Sequence, residues 1–138
     1  MKMVESKYVL LGLGVAAAGA AAMYLTIEYA KAQQAVPPPS VLTISAVCAD
    51  TPCIEGSSKI TVSGTFYKEG VPQQGATVSV YYKVIRTDEG CPVEVTEHIA
   101  GSAVTDANGN YSVTFTAPTI PAGYGNEAIV CLQSKVFM

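Results

Sequence analysis

The chain has 138 residues, a formal net charge of -3, four cysteines, one histidine and no tryptophan. Its sequence has no run of lysine or arginine, which argues against a nucleic-acid role because such binding needs a basic patch. There is no C-x-x-C pair, and His98 is far in sequence from every cysteine. We therefore expect no zinc site, no other metal and no cofactor.

The first predicted element is one long apolar helix within residues 1–34. From Tyr8 to Ile27 no side chain is charged. About 20 residues at a helical rise of ~1.5 Å span ~30 Å, the thickness of the hydrocarbon core of a bilayer. The length predicts a helix that crosses a membrane or lies in the core of a filament.

Three interpretations of this segment are open. It is a cleaved signal peptide if the small-x-small sequence Ala30-Lys31-Ala32 is cut to leave Gln33 first, although the apolar run exceeds the usual length. It is a membrane anchor if the slight positive-inside preference places the rest of the chain outside the cell. In the third interpretation it packs against the same helix of other copies.

Small residues recur every four positions in the predicted helix, and such rows let neighbouring backbones approach closely. The helix-packing candidates are Gly12, Ala16 and Ala20 in one row and Gly14, Ala18 and Ala22 in the other. The alternative is that alanine is present only because it favours helix formation. Packing of these rows predicts a homo-oligomer formed through the helix, with at least transient membrane contact.

Residues 35–40 are predicted to form a proline-rich linker, because three consecutive prolines cannot continue a helix and favour an extended spacer. Residues 41–138 form the predicted β domain. Apolar and polar residues alternate there with period two, as they do in an antiparallel sheet with one buried face. The positions predicted to face the core are Leu42, Ile44, Ala46, Ile60, Val62, Gly64, Phe66, Ala76, Val78, Val80, Tyr82, Val84, Tyr111, Val113, Phe115 and Ala117.

Three further strands are predicted at Val93–Thr96, Ile99–Val104 and Ala128–Phe137. Turn-forming clusters occupy residues 69–72, 88–90 and 106–109. Short strands separated by regular turn signals predict an antiparallel β-sandwich of about seven strands.

The cysteines predict two disulfides, because an even number in a small domain behind an export-like segment is typical of secreted proteins. Four cysteines allow three pairings. We favour Cys48 with Cys53, which closes a small loop, and Cys91 with Cys131, which ties the middle of the domain to its last strand. The disulfides indicate an extracellular or cell-surface location.

The β domain resembles the bacterial and archaeal Ig-like domains and the carboxypeptidase-regulatory-like (CnaB-type) domains of surface proteins. The residues that carry the resemblance are Gly64-Thr65-Phe66, the segment from Gly70 to Val80, and the segment from Val104 to Val113. The resemblance implies an Ig-like sandwich that serves as a stalk, adhesin or filament module.

The order of an apolar helix and then a β head resembles the subunits of type IV pilus-like filaments, especially archaeal ones. In that family the helices bundle in the filament core and the heads form its surface. The resemblance therefore implies that residues 1–34 lie in the core and residues 41–138 are exposed.

Few residues of the β domain suggest chemistry. His98 is interpreted as an exposed strand histidine. Asp106 and Asn108 are interpreted as hairpin-turn residues, since no glutamate follows at the spacing of a calcium loop. Asn110 begins an N-x-S sequon, so it is a candidate glycosylation site. No catalytic residue is predicted.

These observations predict a non-enzymatic structural subunit of an extracellular filament or similar surface assembly, with possible contact to a surface ligand or another cell. The alternative is a single-pass anchored or secreted Ig-like adhesion domain, or an accessory subunit of a membrane complex.

Overall fold

The structure is a computed structural model, and it describes residues 3–5, 9–14 and 40–137. All regular secondary structure in these residues is β-strand, and none of them lies in a helix long and apolar enough to cross a membrane. The strands are β1 (Met3–Glu5), β2 (Val9–Gly14), β3 (Ser40–Leu42), β4 (Ser45–Cys48), β5 (Lys59–Lys68), β6 (Val71–Pro72), β7 (Thr77–Ile85), β8 (His98–Val104), β9 (Asn110–Thr116) and β10 (Glu127–Phe137).

The strands form two antiparallel sheets in a β-sandwich-like arrangement. In the first sheet β10 pairs with β7 along one edge and with β1 and β2 along the other, and β8 pairs with β7. In the second sheet β5 is central, with β3 and β4 along one edge and β9 and β6 along the other. The mainly β, antiparallel prediction is confirmed.

The main core lies between the sheets, and the period-two pattern predicts it well. Four of the predicted core positions are 0% exposed: Ile60, Val62, Val78 and Val80. Ala76, Tyr82 and Phe115 are only partly buried and pack against the cluster from its margin. Burying a side chain of this size contributes about 1.5–3 kcal/mol, so the alternating strands account for much of the stability.

Tyr111 connects the two sheets. Its hydroxyl donates a hydrogen bond to the carbonyl oxygen of Thr43 (2.6 Å) and lies 2.7 Å from the Oγ of Ser134 on β10. Beside it, a Cβ added to Gly64 would collide with the Thr43 carbonyl and lie 2.8 Å from the Tyr111 hydroxyl. The close approach of these groups explains why a glycine interrupts the apolar series of β5.

Two disulfides hold loops to the sandwich. Cys48 is bonded to Cys53 across a sequence separation of 5, and Cys91 is bonded to Cys131 across a separation of 40. This is the pairing that the sequence predicts. The second disulfide ties residues 86–97, called here the outer loop, to β10.

The predicted strand Val93–Thr96 is wrong, because these residues lie within the outer loop and pair with no strand. Val93 and Val95 are two positions apart and would share one face of a strand, yet Val95 is 0% exposed and Val93 is 91% exposed. Burial therefore does not alternate here with period two, and of residues 93–96 only Val95 is buried beneath the loop. From Ser40 onward there are eight strands among the described residues, one of which has only two residues.

Part of the N-terminal segment is described by the structure. Val9–Gly14 is a strand paired with β10. Most of the predicted helix lies in residues 15–34, outside the described residues, so the helix stays a prediction. Two helix-packing candidates, Gly12 and Gly14, lie in this strand.

The remaining calls on this segment lie outside the described residues. They are the helix over residues 15–34, the packing candidates Ala16, Ala18, Ala20 and Ala22, and the linker up to residue 39. Ser40, the last residue of the predicted linker, begins β3.

Candidate functional site

The side chains that could bind a metal ion or take part in catalysis are dispersed in the described part of the chain. Within residues 3–5, 9–14 and 40–137, no group of three or more His, Cys, Asp or Glu side chains could hold a metal ion. The four cysteines are bonded in two disulfides, so no free thiol is available as a nucleophile among these residues.

Asp106 organises the turn before β9. Its Oδ1 accepts hydrogen bonds from the backbone N–H groups of Asn108 (2.8 Å) and Asn110 (2.9 Å), and Gly109 has a positive φ of 79°. The carboxylate is thus used by the turn itself, as an Asx turn requires. Asn110 is exposed at the start of β9, and its glycosylation stays a prediction.

A shallow cleft of about 300 Å³ lies beside β7 and β8. Its lining includes Tyr82, Glu97, His98, Pro121 and Tyr124. The Tyr82 ring stacks on the His98 ring with centroids 5.0 Å apart and on the Phe115 ring with centroids 5.5 Å apart. The Arg86 guanidinium lies 5.0 Å from the centroid of the Tyr124 ring. Because these rings already contact protein groups, the cleft offers mainly polar groups, a carboxylate and an imidazole among them, which suit a ligand with hydroxyl groups.

No local sequence pattern indicates this cleft directly. Tyr82, His98 and Tyr124 lie on β7, on β8 and in the connection before β10, and only the sheet topology brings them together. His98 is exposed on its strand, with its Nε2 atom 3.5 Å from Glu97 Oε2. The one sequence feature that points to the cleft is the stretch before β10, which contains Pro121 and Tyr124.

The outer loop covers the outer face of β10 with polar contacts. The backbone N–H of Val95 donates to Gln133 Oε1 (2.8 Å). The Nζ of Lys135 lies 3.7 Å from Glu94 Oε2 and 5.1 Å from the centroid of the Tyr81 ring. Gln133 and Lys135 are 3% and 4% exposed, so β10 is buried on both faces.

The free edge of β10 is taken by β1 and β2, called here the N-terminal strands. Met3 lies opposite Phe137, and Gly14 lies opposite Glu127. β1 also approaches β3, and β2 approaches β4, so the N-terminal strands lie along one side of both sheets. This edge is the candidate assembly site, because backbone pairing is its main contact.

No family model, no curated protein and no solved structure matches this chain.

Proposed function

We propose that this chain is a non-enzymatic structural subunit of an extracellular filament or a similar surface assembly. In this proposal residues 41–138 form an exposed Ig-like head, and the apolar N-terminal segment makes the contacts between copies. The observation that carries the proposal is the pairing of the N-terminal strands with the edge of β10.

Two disulfides support an extracellular location. Disulfides persist in oxidising compartments, and small exported domains use them to supplement a limited core. Here they fix a loop at each of two places on a domain of about 100 residues. A head cross-linked by two disulfides is suited to long exposure outside a cell.

The apolar composition of the N-terminal segment supports the role in assembly. From Tyr8 to Ile27 no residue carries a charge, so a free segment would leave a large apolar surface in water. Residues 9–14 satisfy their backbone groups along β10. For residues 15–34, helix packing through the small-residue rows remains part of the proposal.

The cleft favours a second function, that of an adhesion domain. The carboxylate of Glu97 and the imidazole of His98, in a cleft lined also by Tyr124, are suited to binding the hydroxyl groups of a carbohydrate at a cell surface. An adhesion domain predicts that Tyr124→Ala abolishes attachment to cells and leaves assembly unchanged.

The test is negative-stain electron microscopy of the full chain, with its intact mass measured on the same sample. Filaments built from a chain that keeps residues 1–34 support the proposal. A monodisperse monomer whose mass begins at Gln33 overturns it, because the contact segment is then removed.

A further inference from the structure

We propose that β1 and β2 of one copy of the chain pair with β10 of a second copy, so that successive copies are joined by strand exchange. This proposal rests on the proposed function and names the surface through which neighbouring subunits bind. In a single copy the pairing is internal, with Gly14 opposite Glu127. Exchange keeps that register and changes only which chain supplies the strands.

β10 requires a partner along its second edge. It has 11 residues, and β7 occupies its other edge from Ile129 to Val136. Residues 131–136 are buried on both faces, as in an interior strand of a sheet. Without the N-terminal strands, the second edge would present a long row of unpaired N–H and C=O groups, which readily accepts a strand from another chain.

The connection between β2 and β3 allows exchange. It consists of residues 15–39, and every later connection between described strands is shorter. With residues 15–34 helical at ~1.5 Å per residue, as the proposed function has them, and residues 35–39 extended at ~3.3 Å per residue, the connection spans roughly 45 Å. An 11-residue strand is roughly 37 Å long, so the connection is longer than the strand that it has to pass, and this length permits pairing with β10 of the same copy or of an adjacent one.

The direction of the strands makes the internal route long. β1 lies near β3, and β2 lies near β4, so Gly14 and Ser40 lie toward opposite ends of the sandwich. Three consecutive prolines, residues 37–39, come just before β3, and prolines favour an extended spacer. Such a spacer fits a connection between two heads.

Strand exchange also determines the form of the assembly. Each copy has one pair of donor strands and one acceptor edge, and these are different surfaces. A contact between two different surfaces is heterologous, and it produces an open chain of copies unless the rotation between them closes a ring. Strand exchange therefore gives the proposed filament a specific contact between neighbouring subunits.

Cysteine cross-linking tests the proposal in the full chain. Gly14 and Glu127 are directly opposite each other in the β2–β10 register, so Gly14→Cys and Glu127→Cys place two thiols within reach of a disulfide. After mild oxidation, non-reducing denaturing electrophoresis should show a ladder of dimers and higher multimers that collapses on reduction. A cross-link confined to the monomer overturns strand exchange.

A mixing experiment identifies the donor and the acceptor. One chain carries only Gly14→Cys, a second chain carries only Glu127→Cys, and the two are expressed together. Strand exchange predicts a covalent heterodimer, because the two engineered thiols lie on different chains. If the heterodimer is missing while the double variant cross-links, the pairing is internal and the proposal is wrong.

Ser79→Cys with Ser102→Cys is the matched control. These residues face each other on β7 and β8, and their hydroxyl oxygens are 2.9 Å apart. This pair should cross-link within the monomer, which shows that oxidation works and that multimers are not a general product. Leu13→Cys with Ala128→Cys provides a second β2–β10 pair. If the control closes and neither β2–β10 pair forms any cross-link, the proposal is also overturned.

Electron microscopy of the cross-linked samples separates the two proposals. Filaments whose β2–β10 cross-links are internal overturn strand exchange and leave the proposed function intact. Covalent dimers or small rings without filaments support strand exchange and overturn the filament.

Discussion

The two faces of β10 are both buried, yet the strand presents different kinds of side chain on each of them. The side chains that face the second sheet are those of Ala128, Val130, Leu132 and Val136. The side chains that face the outer loop include those of Cys131, Gln133 and Lys135. The inner face packs mainly against apolar side chains of the second sheet, whereas the outer face combines a small apolar cluster around Ile85 and Val95 with one disulfide and the polar contacts of Gln133 and Lys135.

This difference shows that burial and hydrophobicity are separate properties of a strand. No single contact holds the inner face, because each of its side chains packs against several others. The outer loop is held by the smaller apolar cluster around Val95, by the Cys91–Cys131 disulfide and by a few polar contacts, so less apolar packing holds it than holds the two sheets together. The four predictions below test this contrast.

The largest expected effect is the loss of the outer disulfide. Replacing Cys91 and Cys131 by alanine releases a cross-link with a sequence separation of 40, for which the chain-entropy relation gives a loss of about 4 kcal/mol. The same change at Cys48 and Cys53, with a separation of 5, should cost about 2 kcal/mol. Urea denaturation of both double variants measures the difference, and equal losses would contradict the dependence of the outer loop on its disulfide.

Leu132→Ala tests the inner face. Leu132 is 0% exposed in the main core, so its truncation leaves a cavity and should cost about 3 kcal/mol. The matched control is Val93→Ala in the outer loop, where the side chain is 91% exposed and the effect should stay within about 0.5 kcal/mol. A small loss at Leu132 would mean that the two sheets do not pack as described.

Gly64→Ala tests the connection between the sheets. The added methyl group would meet the carbonyl of Thr43 and the hydroxyl of Tyr111, so one of them must move, at a cost of about 2 kcal/mol. Gly90→Ala in the outer loop is the control, since a Cβ there has open space around it. Thermal unfolding of both variants should lower the Tm only for Gly64→Ala; an unchanged Tm would show that this contact is loose.

Glu94→Gln has the smallest expected effect. The Glu94 carboxylate is 53% exposed but the Lys135 side chain is only 4% exposed, so the loss should lie between that of an exposed pair and that of a buried pair, at about 1–2 kcal/mol. The difference from the parent chain should shrink further at 1 M salt. Chemical denaturation at two salt concentrations checks this, and a loss that stays above about 2 kcal/mol in both would contradict the weak pairing.

Much of the head could be predicted from the sequence because one physical rule governs it. A strand with one buried face must alternate, so the core positions of β5, β7 and β9 follow directly from the pattern. The sequence also favours the observed disulfide pairing among the three that four cysteines allow, because Cys48 and Cys53 are close in the chain and can close a small loop.

The rest depends on contacts between distant residues, which a local pattern does not contain. Lys135 and Gln133 alternate with apolar residues as a solvent-facing series would, yet both are buried and contact Glu94 and Val95 of the outer loop. The cleft unites Tyr82 with Tyr124 through the sheet topology. The strand Val9–Gly14 depends on an edge that is formed more than 100 residues later in the chain.

The first sheet is completed later in synthesis than the second sheet. The second sheet has all its strands once Thr116 is made, whereas the first sheet lacks β10 until the chain reaches Phe137. At roughly 5–20 residues per second, β2 is present for roughly 5–20 s before Glu127–Phe137 is available to it. During that interval the N-terminal strands have no β10 of their own chain to pair with, so their pairing, within the chain or with another copy, follows the synthesis of the last strand.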